Sequence, residues 1–194
     1  LLLPPSPLEN IMAAICVYLG SRPGHQPAHQ QAAVRLGEIL AWHGHSLVYG
    51  GARIGLMGKL ADSVMAHGGE VIGVMPHHLV DREQAHLGLT ELIRVDSMHE
   101  RKAIMEARSD AFIALPGGIG TLEELFETWT WRYLGLHHKP VGLLDTEGFY
   151  HPLLAFLDNT VEAGFLGTET RAQLLDAATP EAMIELIEAR LAGV

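Results

Sequence analysis

The sequence predicts an α/β protein with a doubly wound parallel sheet carrying helices on both faces. Two observations lead there. Short apolar, β-branched runs alternate along the chain with longer stretches of helical periodicity, and strand-then-helix alternation marks parallel βαβ units. The 194 residues are 48% apolar and only 19% charged, which supplies a sizeable core and excludes disorder.

The expected strands are 13–19, 46–49, 71–75, 92–95, 111–115, 141–144 and 174–177, each an apolar run. The expected helices are 27–43, 54–67, 97–109, 121–134, 150–163 and 180–191. Right-handed crossovers put every strand-to-helix loop on one edge of such a sheet. That edge gathers Gly20-Ser21-Arg22, Gly50-Gly51-Ala52-Arg53, Met75-Pro76-His77 and Pro116-Gly117-Gly118. In the helix over 121–134, Leu122, Leu125, Phe126, Trp129 and Tyr133 keep helical spacing and are expected to face the core. Trp131 falls on the opposite side and suggests a buried partner surface, with a homodimer or dimer-based oligomer ahead of a helix covered within one subunit.

A formal net charge of -10 excludes a broad nucleic-acid surface but leaves room for a small anion held by local arginines and amides. The single cysteine, Cys16, lies in an apolar run and reads as a buried structural thiol. No apolar run approaches the roughly 20 residues of a membrane span, and residues 1–10 lack the basic start of a signal peptide. Pro4, Pro5 and Pro7 predict a disordered arm over residues 1–11, followed by one domain over residues 12–194 of a cytoplasmic protein.

The run Leu115-Pro116-Gly117-Gly118-Ile119-Gly120-Thr121-Leu122-Glu123-Glu124 carries the most information. Glycines between a strand end and a helix start leave bare N–H groups beside the positive end of the helix dipole, a site for phosphate or another anion. Thr121-x-x-Glu124 also has the form of a capping box, as does Ser97-x-x-Glu100, so spacing alone leaves Glu124 either a cap or a group acting on whatever the anion carries. Arg101 stands similarly between a solvated charge and an anion contact. The glycines of residues 50–58 suit close ligand approach or tight packing. Neither the dinucleotide fingerprint nor the P-loop is complete: Glu123 stands at the last fingerprint glycine, Arg53 and Leu60 at required P-loop positions. His77-His78 and His137-His138 lack metal-ligand spacing and read as solvated.

Several segments together resemble the Lonely Guy (LOG) family of cytokinin-activating phosphoribohydrolases. They are Gly20-Ser21-Arg22-Pro23-Gly24, Tyr49-Gly50-Gly51, Gly55-Leu56-Met57-Gly58, Met98-His99-Glu100-Arg101-Lys102-Ala103, the Pro116-to-Glu124 motif and His137-His138-Lys139-Pro140-Val141-Gly142. The resemblance implies a Rossmann-like fold and cleavage of the N-glycosidic bond of nucleoside 5′-monophosphates of the AMP or N6-isopentenyl-AMP type. The incomplete nucleotide motifs and the histidine spacing lead us to expect no cofactor and no metal. The resemblance makes Arg101 and Glu124 the catalytic pair, and Gly20, Ser21, Gly50, Gly51, Met98, Lys102, Pro116, Gly117, Gly118, Gly120 and Thr121 the phosphate- and substrate-binding set. Many relatives carry an older label, lysine decarboxylase, yet Lys59, Lys102 and Lys139 lie in no recognisable pyridoxal phosphate setting. Two departures stand out: Ala52 where many relatives have glycine, and Arg132-Tyr133 in place of a smaller, amide-bearing pair.

These residues suggest a mechanism in which the N–H groups of Gly118, Gly120 and Thr121, with the Thr121 hydroxyl, hold the 5′-phosphate. Glu124 then faces the ribose. The alternatives are a non-catalytic AMP-binding protein and a carrier of another anionic metabolite such as molybdenum cofactor.

Overall fold

A computed structural model describes residues 11–80 and 84–193. The strands are β1 (Ala14–Tyr18), β2 (Ser46–Tyr49), β3 (Val71–Pro76), β4 (Glu91–Val95), β5 (Ala111–Ala114), β6 (Val141–Leu144) and β7 (Leu174–Ala177). The helices are α1 (Pro27–Trp42), α2 (Gly55–Ala66), α3 (Met98–Ala107), α4 (Ile119–Tyr133), α5 (His151–Glu162), α6 (Thr168–Ala172) and α7 (Pro180–Leu191). The proline-rich arm expected over residues 1–11 lies outside the described residues except for Ile11, which packs against the core.

All seven strands form one parallel sheet in the order β4-β3-β2-β1-β5-β6-β7. The chain lays strands outward from β1 on one side, then returns to lay β5, β6 and β7 on the other. The order therefore reverses between β1 and β5, and open α/β sheets bind ligands at the carboxyl ends of such a switch point. Each sheet face has its own core. One joins Leu36 and Leu40 of α1, Leu60 and Val64 of α2, and Met183, Ile184 and Ile187 of α7. The other joins Met105 of α3, Leu125 and Trp129 of α4, and Leu154 and Leu157 of α5. The central strands are buried on both faces, which is why they read as unbroken apolar runs.

Helix starts follow local chemistry. Pro27, Pro152 and Pro180 sit in first turns, where a missing N–H costs nothing. The Ser97 hydroxyl accepts the Glu100 N–H at 3.1 Å, and the Glu100 carboxylate returns to the Asp96 N–H at 2.9 Å. One expected box therefore forms, with its return bond one residue upstream. The other does not. α4 starts at Ile119 with Gly118 as its N-cap, two residues earlier than expected, so Thr121 already lies inside the helix.

Two further expectations change. Tyr133 is 62% exposed, while Trp131 is half-buried; the core-facing stripe ends at Trp129, because α4 runs beyond the packed layer. α6 was absent from the pattern, since five residues are too few to show a period.

A glycine-lined candidate active site at the carboxyl edge

Backbone hydrogen bonds tie the loops of this edge together. Gly20 N–H donates to Pro116 C=O at 3.2 Å, and Gly20 C=O accepts the Leu56 N–H at 3.2 Å. The β1–α1 loop is thus stitched both to the loop before α4 and to the start of α2. A side chain on Gly20 would crowd the Arg22 carbonyl and Gly117. Ser21 is exposed beside it, and Gly55, at φ +59, lies so close to the Ser21 backbone that no side chain fits.

Arg101 is 4% exposed. Its Nε donates to Val74 C=O at 3.0 Å and its Nη2 to Gly50 C=O at 2.9 Å, while Nη1 lies 3.8 Å from the Met98 sulfur. The solvated reading of this arginine is therefore wrong. Its guanidinium is pinned to the carboxyl ends of β2 and β3, and Gly50 is glycine because any side chain would strike it. Gly51 adopts φ +80. Its carbonyl accepts the His86 N–H at 2.9 Å, and Arg53 N–H reaches Gln84 C=O at 2.8 Å. This buttress from residues 84–86, with an antiparallel bridge between Ala52 and Ala85 and a His86 Nε2–Asp62 Oδ1 contact of 2.9 Å, left no trace in the sequence pattern. Here the packing reading explains the glycines.

The loop before α4 divides sharply. Pro116 is buried, and Gly117 cannot carry a side chain because Thr121 occupies the space. Thr121 itself is 4% exposed. Gly118 and Gly120 differ: a Cβ on either would meet nothing within 4 Å. Both are exposed. The first α4 bond in the ladder runs from Leu122 N–H to Gly118 C=O, so the N–H groups of Ile119, Gly120 and Thr121 precede it at the positive end of the dipole.

Thr121, Leu125, Thr128 and Trp129 form the buried side of α4. Glu124 lies half-buried on the same side, three residues after Thr121 and four before Thr128. The Thr128 hydroxyl meets the Tyr18 hydroxyl at 2.8 Å. Burial first, and later the Glu124 charge, hold the Tyr18 pKa well above its ordinary value. Cys16 is fully buried; burial chiefly, opposed by a bond from Tyr18, raises its thiol pKa, and the charges of Glu124 and Arg101 are felt there with opposite sign. Glu124 on α4 and Arg101 on α3 thus both act electrostatically on Cys16 of β1. Lys102 turns elsewhere: its Nζ pairs with Glu123 at 2.6 Å and Glu127 at 2.9 Å. Burial opposes its charge, but those two carboxylates outweigh it and its pKa is raised. Lys139 is likewise held by Glu106 at 2.6 Å.

Away from this edge, His43, His45 and Glu188 bring three potential ligand atoms within 4.8 Å of one another. His45 Nδ1 accepts the Ala13 N–H at 3.2 Å, so Nε2 carries the proton and donates to Glu188 at 2.9 Å. A metal on Nε2 would drive the proton onto Nδ1, against the Ala13 N–H, so the cluster suits hydrogen bonding better than a cation. His137 is also buried, with Nε2 on Thr128 C=O at 3.0 Å, contrary to the solvated reading; His138 is exposed. No helix among the described residues is long and apolar enough to cross a membrane.

An all-parallel sheet whose strand order turns round at β1 and β5, crowned there by glycine loops, defines a Rossmann-like α/β protein whose candidate site lies at the switch point. The family described as "Possible lysine decarboxylase" matches residues 57–187. The cytokinin riboside 5′-monophosphate phosphoribohydrolase LOG of Oryza sativa subsp. japonica is 49% identical over 174 residues, covering 90% of this chain and 72% of that protein. A cytokinin riboside 5′-monophosphate phosphoribohydrolase of Arabidopsis thaliana is 48% identical, covering 90% of this chain and 81% of its own length. The chain belongs to this LOG family. Among solved structures, the Moco carrier protein of Chlamydomonas reinhardtii superposes with a TM-score of 0.71 at 23% identity, covering 94% of this chain and 99% of that one. At that identity the likeness concerns the fold.

Proposed function

We propose that this protein hydrolyses the N-glycosidic bond of adenosine 5′-monophosphates, including N6-modified ones, to the free base and ribose 5-phosphate. The carrying observation is the start of α4: two glycines with no packing need for glycine, and a carboxylate on the sheet-facing side just beyond. The resemblance of nearly half the residues to phosphoribohydrolases supports the same reading.

In this mechanism the N–H groups of Ile119, Gly120 and Thr121 take the 5′-phosphate. The Thr121 hydroxyl, buried against Gly117, shapes the loop and serves the ligand less than the backbone does. Glu124 is four residues beyond Gly120, roughly 6 Å along the axis, which suits the distance from phosphate to sugar. As the C1′–N bond breaks, positive charge grows on the ribose, and the Glu124 carboxylate stabilises it and orients the attacking water. Water supplies the oxygen that ends on C1′; the base leaves with the bonding pair and takes up a proton. Arg101, fixed by Val74 and Gly50, holds the electrostatics of the site constant.

Incubation with AMP and isopentenyladenosine monophosphate is expected to release base and ribose 5-phosphate. Glu124→Gln should cut release by about 100-fold or more, the scale of losing a charged transition-state partner, while the circular dichroism spectrum stays unchanged. Tight AMP binding without any base release would replace the enzyme with a binding protein.

We further propose a homodimer. Tyr133, Leu134 and Leu136 at the end of α4 are 62%, 61% and 71% exposed, a cluster that a second copy would cover. Sedimentation is expected to give twice the chain mass of 21.1 kDa.

A further inference from the structure

We infer that a hollow at the opposite, amino edge of the sheet is a second site, one that takes a small dianionic metabolite. The hollow has a volume of about 320 Å³ and is lined by Arg132, Pro140, Glu169, Gln173, Leu175 and Arg190, among others. Pro140 precedes β6 and Gln173 precedes β7, which places the hollow at the amino ends of those strands, across the sheet from the glycine loops. No residue of the candidate active site takes part in it.

Arg132 comes from the last turn of α4 on one sheet face, Arg190 from the last turn of α7 on the other. A cation suits either helix end on dipole grounds. That does not account for their convergence on one hollow. Arg132 is half-buried, and among the described residues no carboxylate pairs with it. Its Nη1 donates to Lys139 C=O at 2.5 Å and His138 C=O at 3.2 Å, which fixes the guanidinium against the 138–140 loop. Both bonds run from Nη1, so among the described residues the Nε and Nη2 donors are left for another acceptor. Burial, and then the like charge of Arg190, lower the Arg132 pKa. Arg190 and one exposed carboxylate, Glu169, line the hollow with Arg132; among the described residues Glu169 forms an ion pair with neither arginine, so the two cations outnumber the acid. Two guanidiniums facing one space match the oxygens of a phosphate monoester or a dicarboxylate, with which each forms charge-assisted, often bidentate, bonds.

Titration calorimetry with inorganic phosphate and with succinate tests this on the wild type, Arg190→Glu and Arg132→Gln. Arg190 is exposed, so Arg190→Glu is expected to fold, and the new carboxylate closes the pair with Arg132. The expected result is a binding event weakened by about tenfold or more in both variants, the scale of one lost charge-assisted bond, with AMP binding at the other edge unchanged. Loss confined to phosphate identifies a phosphorylated ligand; loss confined to succinate identifies a dicarboxylate; loss of both means that the hollow reads charge. Unchanged affinity for both anions in Arg190→Glu, or no binding to the wild type, overturns the proposal. Inorganic phosphate also suits the start of α4, so only the part of the binding that Arg190→Glu removes is assigned to the hollow; its failure to fall leaves the hydrolase reading untouched, and lost base release leaves the hollow untouched.

Discussion

Gly118 and Gly120 are glycine for no reason that packing supplies. At Gly120, inside the first helical turn, alanine is the better residue by up to about 1 kcal/mol; Gly118 is the N-cap, where glycine is itself favoured over alanine, and each position has open space around its Cα. Gly120→Ala is therefore expected to leave urea stability equal or slightly higher while base release falls by about tenfold or more, because the new methyl stands where a phosphate oxygen would approach the N–H groups. Full turnover in that variant would take the ligand away from the helix start. Gly117→Ala should behave oppositely. Its methyl collides with Thr121, and overpacking of this kind costs roughly 1–3 kcal/mol. At this scale the sequence already offered the glycines and Glu124 as a set. It did not separate glycines needed for packing from glycines needed for access, since that distinction depends on what lies across the loop.

At the level of elements, α1 packs tightly on α2. Gly37 of α1 faces Ser63 of α2, where a Cβ would come within 2.7 Å of the Ser63 Cβ and 2.9 Å of Leu60 C=O. The Ser63 hydroxyl donates to Val34 C=O at 2.7 Å across the same contact. Gly37→Val should force the pair apart and lower stability by roughly 1–3 kcal/mol, read as a shifted urea midpoint with an unchanged slope. The helix spans were legible because each long amphipathic segment carries its own period. Two local readings failed for want of context. Thr121-x-x-Glu124 looks like a cap, yet the chain turns helical at Ile119 because Gly118 adopts the extended N-cap conformation. Tyr133 keeps the spacing of the buried stripe, yet the neighbouring layer ends before it.

Across the whole molecule, two buried histidines couple stability to pH. His45 ties the strand edge to Glu188 on α7, and His137 ties the loop before β6 to Thr128 on α4. Burial is the main cause that lowers both pKa values below 6.5, against raising contributions from Glu188 and Thr128. Each Nδ1 accepts a backbone N–H, from Ala13 and from Lys139, so protonation there also breaks a bond. With the folded pKa depressed, the unfolded chain takes up the proton first as pH falls. Stability is thus complete above about pH 6.5 and declines as the pH drops through the interval down to the folded values. Urea midpoints at pH 7.5 and 5.5 should show the decline, and His137→Gln should reduce it; equal midpoints would remove these histidines as the cause.

Sequence alone determined the sheet class, the long helices and the edge where the loops gather, because periodicity and glycine punctuation are local properties of the chain. It also singled out Arg101 and Glu124 but left each with two readings. Only the tertiary structure decided that Arg101 is buried against Val74 and Gly50, that Lys102 turns to Glu123 and Glu127, that residues 84–86 brace the second glycine loop, and that Arg132 and Arg190 line one hollow. Each of these joins residues far apart in the chain, and no local pattern encodes which distant surface a side chain will meet.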